Sequence, residues 1–154
     1  MVHILSKKKF HEMFKYVPRI ACDAVVFNDK KEVLLVKRDH NPYKNRWALP
    51  GGFMEKGERA DVAARRECLE ESGIRTKSIG LCGVYSNPRR DPRGQVVSLV
   101  FLLKPLNSKT RTSKETSDVR FFPISKVPKN LAADHSKILR DALIVRKNRT
   151  AVIG

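Results

Sequence analysis

Long apolar runs are absent from this sequence. No stretch approaches the ~20 consecutive apolar residues of a membrane-spanning helix, so no membrane partner is expected. The opening, MVHILSKKKFHEMFK, places its basic residues after the apolar ones and lacks a long apolar core. It is not read as a secretory signal. Cysteine is scarce. Cys22, Cys68 and Cys82 have no metal-ligand spacing, and their odd number in mostly apolar surroundings predicts reduced thiols in a cytoplasmic protein. Internal repeats and linker-like segments are also missing. With 154 residues and 41% apolar content, one domain over residues 1–154 is expected, residues 1–18 forming an N-terminal helical extension.

Acidic residues are outnumbered two to one. Sixteen Asp and Glu face 32 Lys and Arg, a formal charge of +16. Such a field concentrates anions, and phosphorylated small molecules or RNA both fit. A general bias of the source organism toward basic proteins explains the charge equally well. No basic groove rich in aromatic residues is evident, so nucleic acid is the less favoured partner.

The acid that is present concentrates in residues 51–74, GGFMEKGERADVAARRECLEESGI. Gly51 and Gly52 follow Pro50 and mark a sharp turn, and Gly57 marks a second bend. From about Glu58 the composition is helical, with Ala60, Ala63, Ala64 and Leu69 among charged residues of good helix propensity. Gly73 suits a left-handed helix end. Glu67, Glu70 and Glu71 stand at i, i+3 and i+4, in one sector of the helix surface. Like charges at that spacing weaken a bare helix by a few tenths of a kcal/mol per pair, on the order of 0.2–0.5. A compensating cation is therefore expected, and carboxylates are the hard oxygen ligands that Mg²⁺ or Mn²⁺ take. The competing reading, a solvated acidic helix face, accounts for the glutamates but not for the glycines and Arg66 in register.

These residues resemble the Nudix box, GX5EX7REUXEEXGU with U aliphatic. Gly52, Glu58, Arg66, Glu67, Glu70, Glu71, Gly73 and Ile74 occupy its fixed positions, and Cys68 stands where the family usually has an aliphatic residue. WALPGG, ending at Gly52, is also what the family shows ahead of its box.

Along the rest of the chain, residues 5–16 read as a short amphipathic helix with Ser6 as N-cap, Phe10 and Phe14 on one side and His11 exposed. Residues 19–28 and 32–38 read as strands joined by a turn at Asn28 to Lys31, and a hairpin is expected. Trp47 is expected to pack rather than stack on a base. Residues 77–86 form a strand. Residues 87–94, NPRRDPRG, are irregular. Residues 95–104, QVVSLVFLLK, form the most hydrophobic strand and should be central. Residues 105–117 form a basic loop, the segment expected to be most mobile. Residues 119–124 form a short strand. Asp134 can cap a last helix over residues 135–148, and the tail at 149–154 is expected to pack weakly. Strands and helices in this order predict an α/β fold with a mixed sheet covered on both faces.

The resemblance, covering about Arg19 to Val145, implies the Nudix α/β/α sandwich. It also implies metal-dependent hydrolysis of a nucleoside diphosphate linked to another moiety, with Mg²⁺ or Mn²⁺ as cofactor. It makes Glu67, Glu71 and Glu70 metal ligands, joined by the Gly52 carbonyl. Arg66 then orients the carboxylates through Glu58, and Glu70 is also a catalytic candidate. ADP-ribose pyrophosphatases of the family often take a general base from a later loop. Here that loop offers Glu115, with Asp118 second. The segment GVYSNPRRDPRGQVVSLVF is similar to that of ADP-ribose pyrophosphatase-like members. A family proline in this region could correspond to Pro88 or Pro92. Arg89, Arg90 and Arg93, with Arg38, are candidates for binding substrate phosphates by forked hydrogen bonds. A solvated basic loop is the alternative for the first three. The opening KYVPRIACDAVVF resembles members near the GDP-mannose hydrolases, but the intact box favours attack on phosphorus over sugar-carbon cleavage. Oxidised nucleoside triphosphates are the alternative substrates, and a non-catalytic ligand- or RNA-binding module is the alternative class. Homodimers are common in the family.

Overall fold

The computed structural model describes residues 8, 9, 12, 15–148, 152 and 153. Lys8, Lys9 and Glu12 are helical, whereas Ser6, Phe10, His11 and Phe14 of the expected first helix lie outside the described residues. The strands are β1 (Arg19–Val26), β2 (Val33–Arg38), β3 (Trp47–Ala48), β4 (Gly51–Phe53), β5 (Thr76–Tyr85), β6 (Val96–Pro105), β7 (Thr116–Phe122) and β8 (Val152–Ile153). Helix α1 spans Ala60–Ser72, and α2 spans His135–Asn148.

Two sheets form where one was expected. A mixed five-stranded sheet runs β4-β1-β6-β5-β8, and a three-stranded antiparallel sheet runs β3-β2-β7. β1 lies parallel to β6 and antiparallel to β4. The expected β1–β2 hairpin is reduced to a single bridge, Phe27 to Val33, after which the strands enter different sheets. The physical reason lies in burial. Val33, Leu34, Leu35 and Val36 are all buried, so β2 needs apolar cover on both faces, which an edge hairpin does not offer. Strand β6 is central between β1 and β5, as its composition predicts.

Side-chain alternation splits the core into two clusters. Cys22, Ala24 and Val26 of β1 join Leu34, Val36 and Leu103 beneath Ala63, Ala64 and Cys68 of α1. Val25, Val33, Leu35, Val100 and Leu102 face the other way and receive Ile138, Leu139, Ala142 and Val145 of α2. Each fully buried Val, Leu or Ile contributes roughly 1.5–3 kcal/mol, so both layers are held firmly. Trp47 packs edge-on against Phe122 at 4.8 Å between centroids, and all three cysteines are buried and unpaired. Among the described residues, no helix is long and apolar enough to cross a membrane.

Two expectations about the periphery change. Val152–Ile153 of the tail pairs with β5 at Gly83 and Val84. The 106–115 loop is tied down: Leu106 N–H bonds the Arg75 carbonyl at 2.8 Å, and Arg111 N–H bonds the Ser72 carbonyl at 2.8 Å. The Ser72 tie caps the end of α1, where Gly73 (φ 73°) takes the left-handed conformation, and the Arg75 tie holds the chain as it enters β5.

Candidate active site

A cleft of about 1010 Å³ opens over β4, at the upper limit of ~300–1,000 Å³ typical of small-molecule sites. One wall comes from α1. The other is assembled from β1, β6, the 87–94 loop and the start of α2.

On the α1 wall, Arg66 is the hub. Its Nε and Nη2 donate to the two carboxylate oxygens of Glu58 at 3.2 and 2.8 Å, and Nη1 donates to Glu67 at 2.7 Å. The Phe53 carbonyl at 3.3 Å and Glu70 at 3.3 Å complete its set. The Glu58 hydrogen bond comes first in raising the Arg66 pKa, and Arg66 in turn lowers that of Glu58. This fork matches the expected Glu58–Arg66 pairing. It is a partly buried bidentate contact rather than an isolated surface pair.

Glu67 and Glu71 form the interior of this wall. Glu71 is 6% exposed, and its Oε2 accepts the Gly51 N–H at 3.0 Å. Burial, reinforced by the charges of Glu67 and Glu115, pushes Glu71 up to about 8. Burial also raises Glu67, although Arg66 works against the shift. Gly52 faces Glu67 so closely that a Cβ there would lie 2.5 Å from the carboxylate carbon. A side chain at Gly51 would strike the Asp23 carboxylate. Both glycines are therefore required by close approach, as the turn reading anticipated in part.

Glu70 is the most exposed of the three glutamates. Its side chain is 58% exposed, lines the cleft and bonds Arg66 Nη1, the nitrogen that also serves Glu67. The reason is helical geometry: Glu67 and Glu71 are one turn apart, while Glu70 sits roughly 100° round from Glu71, at the solvent edge. Among the described residues, no three His, Cys, Asp or Glu are gathered as a metal site. The donor set nevertheless fits a hard divalent cation. Two carboxylates with raised proton affinity, Glu71 buried and Glu67 partly buried, face a space that Gly52 keeps clear of any side chain.

Glu115 does come to this wall. Thr116 Oγ1 donates to the Glu71 carbonyl at 2.9 Å, and the Glu115 carbonyl accepts the Asp39 N–H at 2.9 Å. Glu115 thus lines the cleft close enough for its charge to raise both Glu67 and Glu71. Asp118, the second base candidate, pairs with Arg120 at 2.5 Å and does not line the cleft.

The arginines sort differently from expectation. Arg89 is exposed outside the cleft lining, and neither Pro88 nor Pro92 lines it. Arg90 is buried and engaged: Nε and Nη2 donate to Asp134 at 2.9 and 2.7 Å, and Nη1 donates to Ser98 Oγ at 2.6 Å. It is a strut between the loop and α2, and it claims the Asp134 carboxylate that was expected to cap that helix. Arg93 forks onto Asp91 and lies 5.1 Å from the Phe53 ring centroid, at the cleft wall. Arg38 bonds the Pro42 carbonyl and His40, and burial lowers its pKa while Glu71 and Glu115 oppose that shift. Of the expected arginines that line the cleft, Arg90 engages all three guanidinium nitrogens, whereas Arg38 and Arg93 each engage two.

Asp23, Ser98 and His135 also line the cleft, and sequence reasoning did not single them out. Asp23 left a signal: it is a lone charge inside the apolar run ACDAVVF, where buried carboxylates are rare.

Comparison with known proteins agrees with this architecture. The NUDIX domain family matches residues 17–142. An ADP-ribose pyrophosphatase of Methanocaldococcus jannaschii is 42% identical over 139 residues, covering 90% of this chain and 81% of the relative. A NUDIX hydrolase from Nitrosomonas europaea superposes with a TM-score of 0.77 at 29% identity, over 89% of this chain and 76% of that one. A bifunctional NMN adenylyltransferase/ADP ribose pyrophosphatase from Francisella tularensis, complexed with AMP and a Mn ion, superposes with a TM-score of 0.74. It is 25% identical, over 94% of this chain and 48% of that chain. With its box folded as a turn, helix and left-handed glycine beside a mixed sheet, the chain belongs to the Nudix hydrolase family.

Proposed function

We propose that this protein hydrolyses the diphosphate of ADP-ribose or a similar nucleotide sugar with the help of Mg²⁺ or Mn²⁺. From ADP-ribose the products would be AMP and ribose 5-phosphate. The observation that carries this reading is the Glu67–Glu71 pair set against Gly51 and Gly52, in a cleft with Arg38 and Arg93 on its walls. The identity to an archaeal ADP-ribose pyrophosphatase supports the choice of substrate.

In this reading Glu67, Glu71 and the Gly52 carbonyl would hold the cation, with Glu70 as a third carboxylate. A divalent ion bound there would neutralise diphosphate charge and favour formation of hydroxide. Arg66 locks Glu67 through the Glu58 fork, so the ligand carboxylate loses little freedom when it binds. Glu115, fixed by Thr116, takes the proton of the attacking water. The new oxygen–phosphorus bond forms as the bridging oxygen–phosphorus bond breaks. Arg38 and Arg93 bind phosphate oxygens. The cellular setting in this reading is the cytoplasm, with a nucleotide as ligand and a homodimer as the assembly.

A phosphate-release screen over ADP-ribose, NADH, dinucleoside polyphosphates, GDP-mannose and oxidised nucleotides, with each metal, tests the substrate. ADP-ribose should lead. Glu71→Gln should remain folded and lose turnover by at least about 10²–10³-fold. Normal turnover by that variant would sink the site assignment.

A further inference from the structure

We propose that Asp23 and His135 form a subsite that recognises the vicinal hydroxyls of a ribose in the ligand. This inference rests on the nucleotide-sugar reading above and adds to it the residues that read the sugar.

Asp23 projects from β1 into the wall opposite α1. It is 6% exposed, lines the cleft, and its Oδ2 has no hydrogen-bond partner. A buried carboxylate oxygen without a donor is costly, so its position needs an explanation beyond folding. Arg90 does not supply the donor, because its recorded bonds run to Asp134 and Ser98. The Gly51 N–H does not supply it either, because it is given to Glu71.

His135 supplies the complementary function. Its Nδ1 accepts the Leu49 N–H at 2.9 Å. A backbone N–H can only donate, so Nδ1 carries no proton and the neutral ring bears its hydrogen on Nε2. Burial lowers the pKa of His135 and keeps the ring neutral, and among nearby charges Asp23 acts on it most strongly in the opposite direction. The wall therefore offers one strong acceptor and one donor, close in space but not bonded to each other.

That pairing selects among the groups of a nucleotide sugar. A phosphate oxygen accepts only, and Asp23 repels it. An exocyclic base amine donates only and leaves Nε2–H unmet. A hydroxyl donates to Asp23 and accepts from His135 at once, and a vicinal pair of hydroxyls can engage both oxygens of the carboxylate. Gly51 sits between the two walls, touching Asp23 on one side and Glu71 on the other. A ribose seated against Asp23 would then carry its phosphate toward the glutamates.

The test compares ADP-ribose with analogues lacking a 2′-hydroxyl on either ribose, using the full-length protein, Asp23→Ala and His135→Asn. Asparagine keeps an acceptor for the Leu49 N–H but removes the Nε2 donor. The wild-type protein should disfavour one deoxy analogue by about tenfold to a hundredfold in KM. Both variants should raise KM for ADP-ribose by a similar factor, with kcat changed much less, and should lose the discrimination. Asp23→Ala should also melt higher than wild type without ligand, since a buried carboxylate oxygen without a hydrogen-bond donor is removed. Equal KM for all three nucleotides in the wild type, or discrimination that survives in both variants, would overturn the subsite while leaving the hydrolase reading intact. Failure of the wild type to cleave any nucleotide sugar would overturn both.

Discussion

The two walls of the cleft are built in opposite ways. Apart from Glu115, the acidic wall comes from one contiguous stretch, Gly51 to Glu71, in which a turn, a helix and one arginine fork place each group. The facing wall draws Asp23, Arg90, Ser98 and the Asp134–His135 pair from four separate elements, joined by hydrogen bonds across as many as 86 residues. The first is a local device whose geometry follows from helical periodicity. The second exists only after β1, β6 and α2 have packed. Damage to the first should therefore change chemistry with little effect on folding, and damage to the second should do the reverse unless it touches the ligand.

The largest contrast should come from Arg90→Ala. It leaves Asp134 as a partly buried carboxylate without its forked partner and Ser98 without its donor, and should cost about 3 kcal/mol or more in urea unfolding. A loss below about 1 kcal/mol would show that the strut is not structural. Gly52→Ala should behave in the opposite sense. The new methyl meets the Glu67 carboxylate at 2.5 Å, a side-chain end that can swing away, so the fold survives while kcat falls about 10–100-fold. Steady-state kinetics beside a melting curve separates the two effects.

The acidic wall should also mark the pH dependence of the metal-free protein. Glu71 has an ordinary value of 4.5 and a folded value near 8, so the folded state holds an extra proton between them. Stability from this group is complete below about 4.5 and declines as pH rises toward 8, by up to ~1.4 kcal/mol per pH unit. Glu71→Gln should flatten that slope, as read from denaturation midpoints at pH 5, 6, 7 and 8. The smallest effect belongs to Arg89→Ala, which lies outside the cleft. Its KM for ADP-ribose should stay within about twofold of wild type, whereas Arg93→Ala should raise KM several-fold.

How much of this could be read from the residues follows the same division. The box helix, its left-handed Gly73, the central β6 and α2 were legible because each rests on local periodicity or on a residue with one conformational use. The partition into two sheets was not, because strand length and apolarity do not say which neighbour a strand will choose. Glu70 is grouped with Glu67 and Glu71 by spacing and by the family resemblance, and only the folded structure shows it to be the most exposed of the three. Arg90 and Arg93 look alike in NPRRDPRG, yet one reaches Asp134, 44 residues away, and the other bonds Asp91 beside it. Loop arginines carry no periodic signal that would separate them. Asp23 carried a signal of composition, but its counterpart His135 was one polar residue at a helix start like many others.

The central claim is that buried Glu71, beside Glu67, waits protonated in part for a divalent cation. Titrating Mn²⁺ calorimetrically at pH 7, in two buffers of different ionisation enthalpy, tests it most directly. The account predicts release of about one proton per bound cation, and loss of both binding and proton release in Glu71→Gln. Binding that releases no proton, or that persists unchanged in Glu71→Gln, would contradict it.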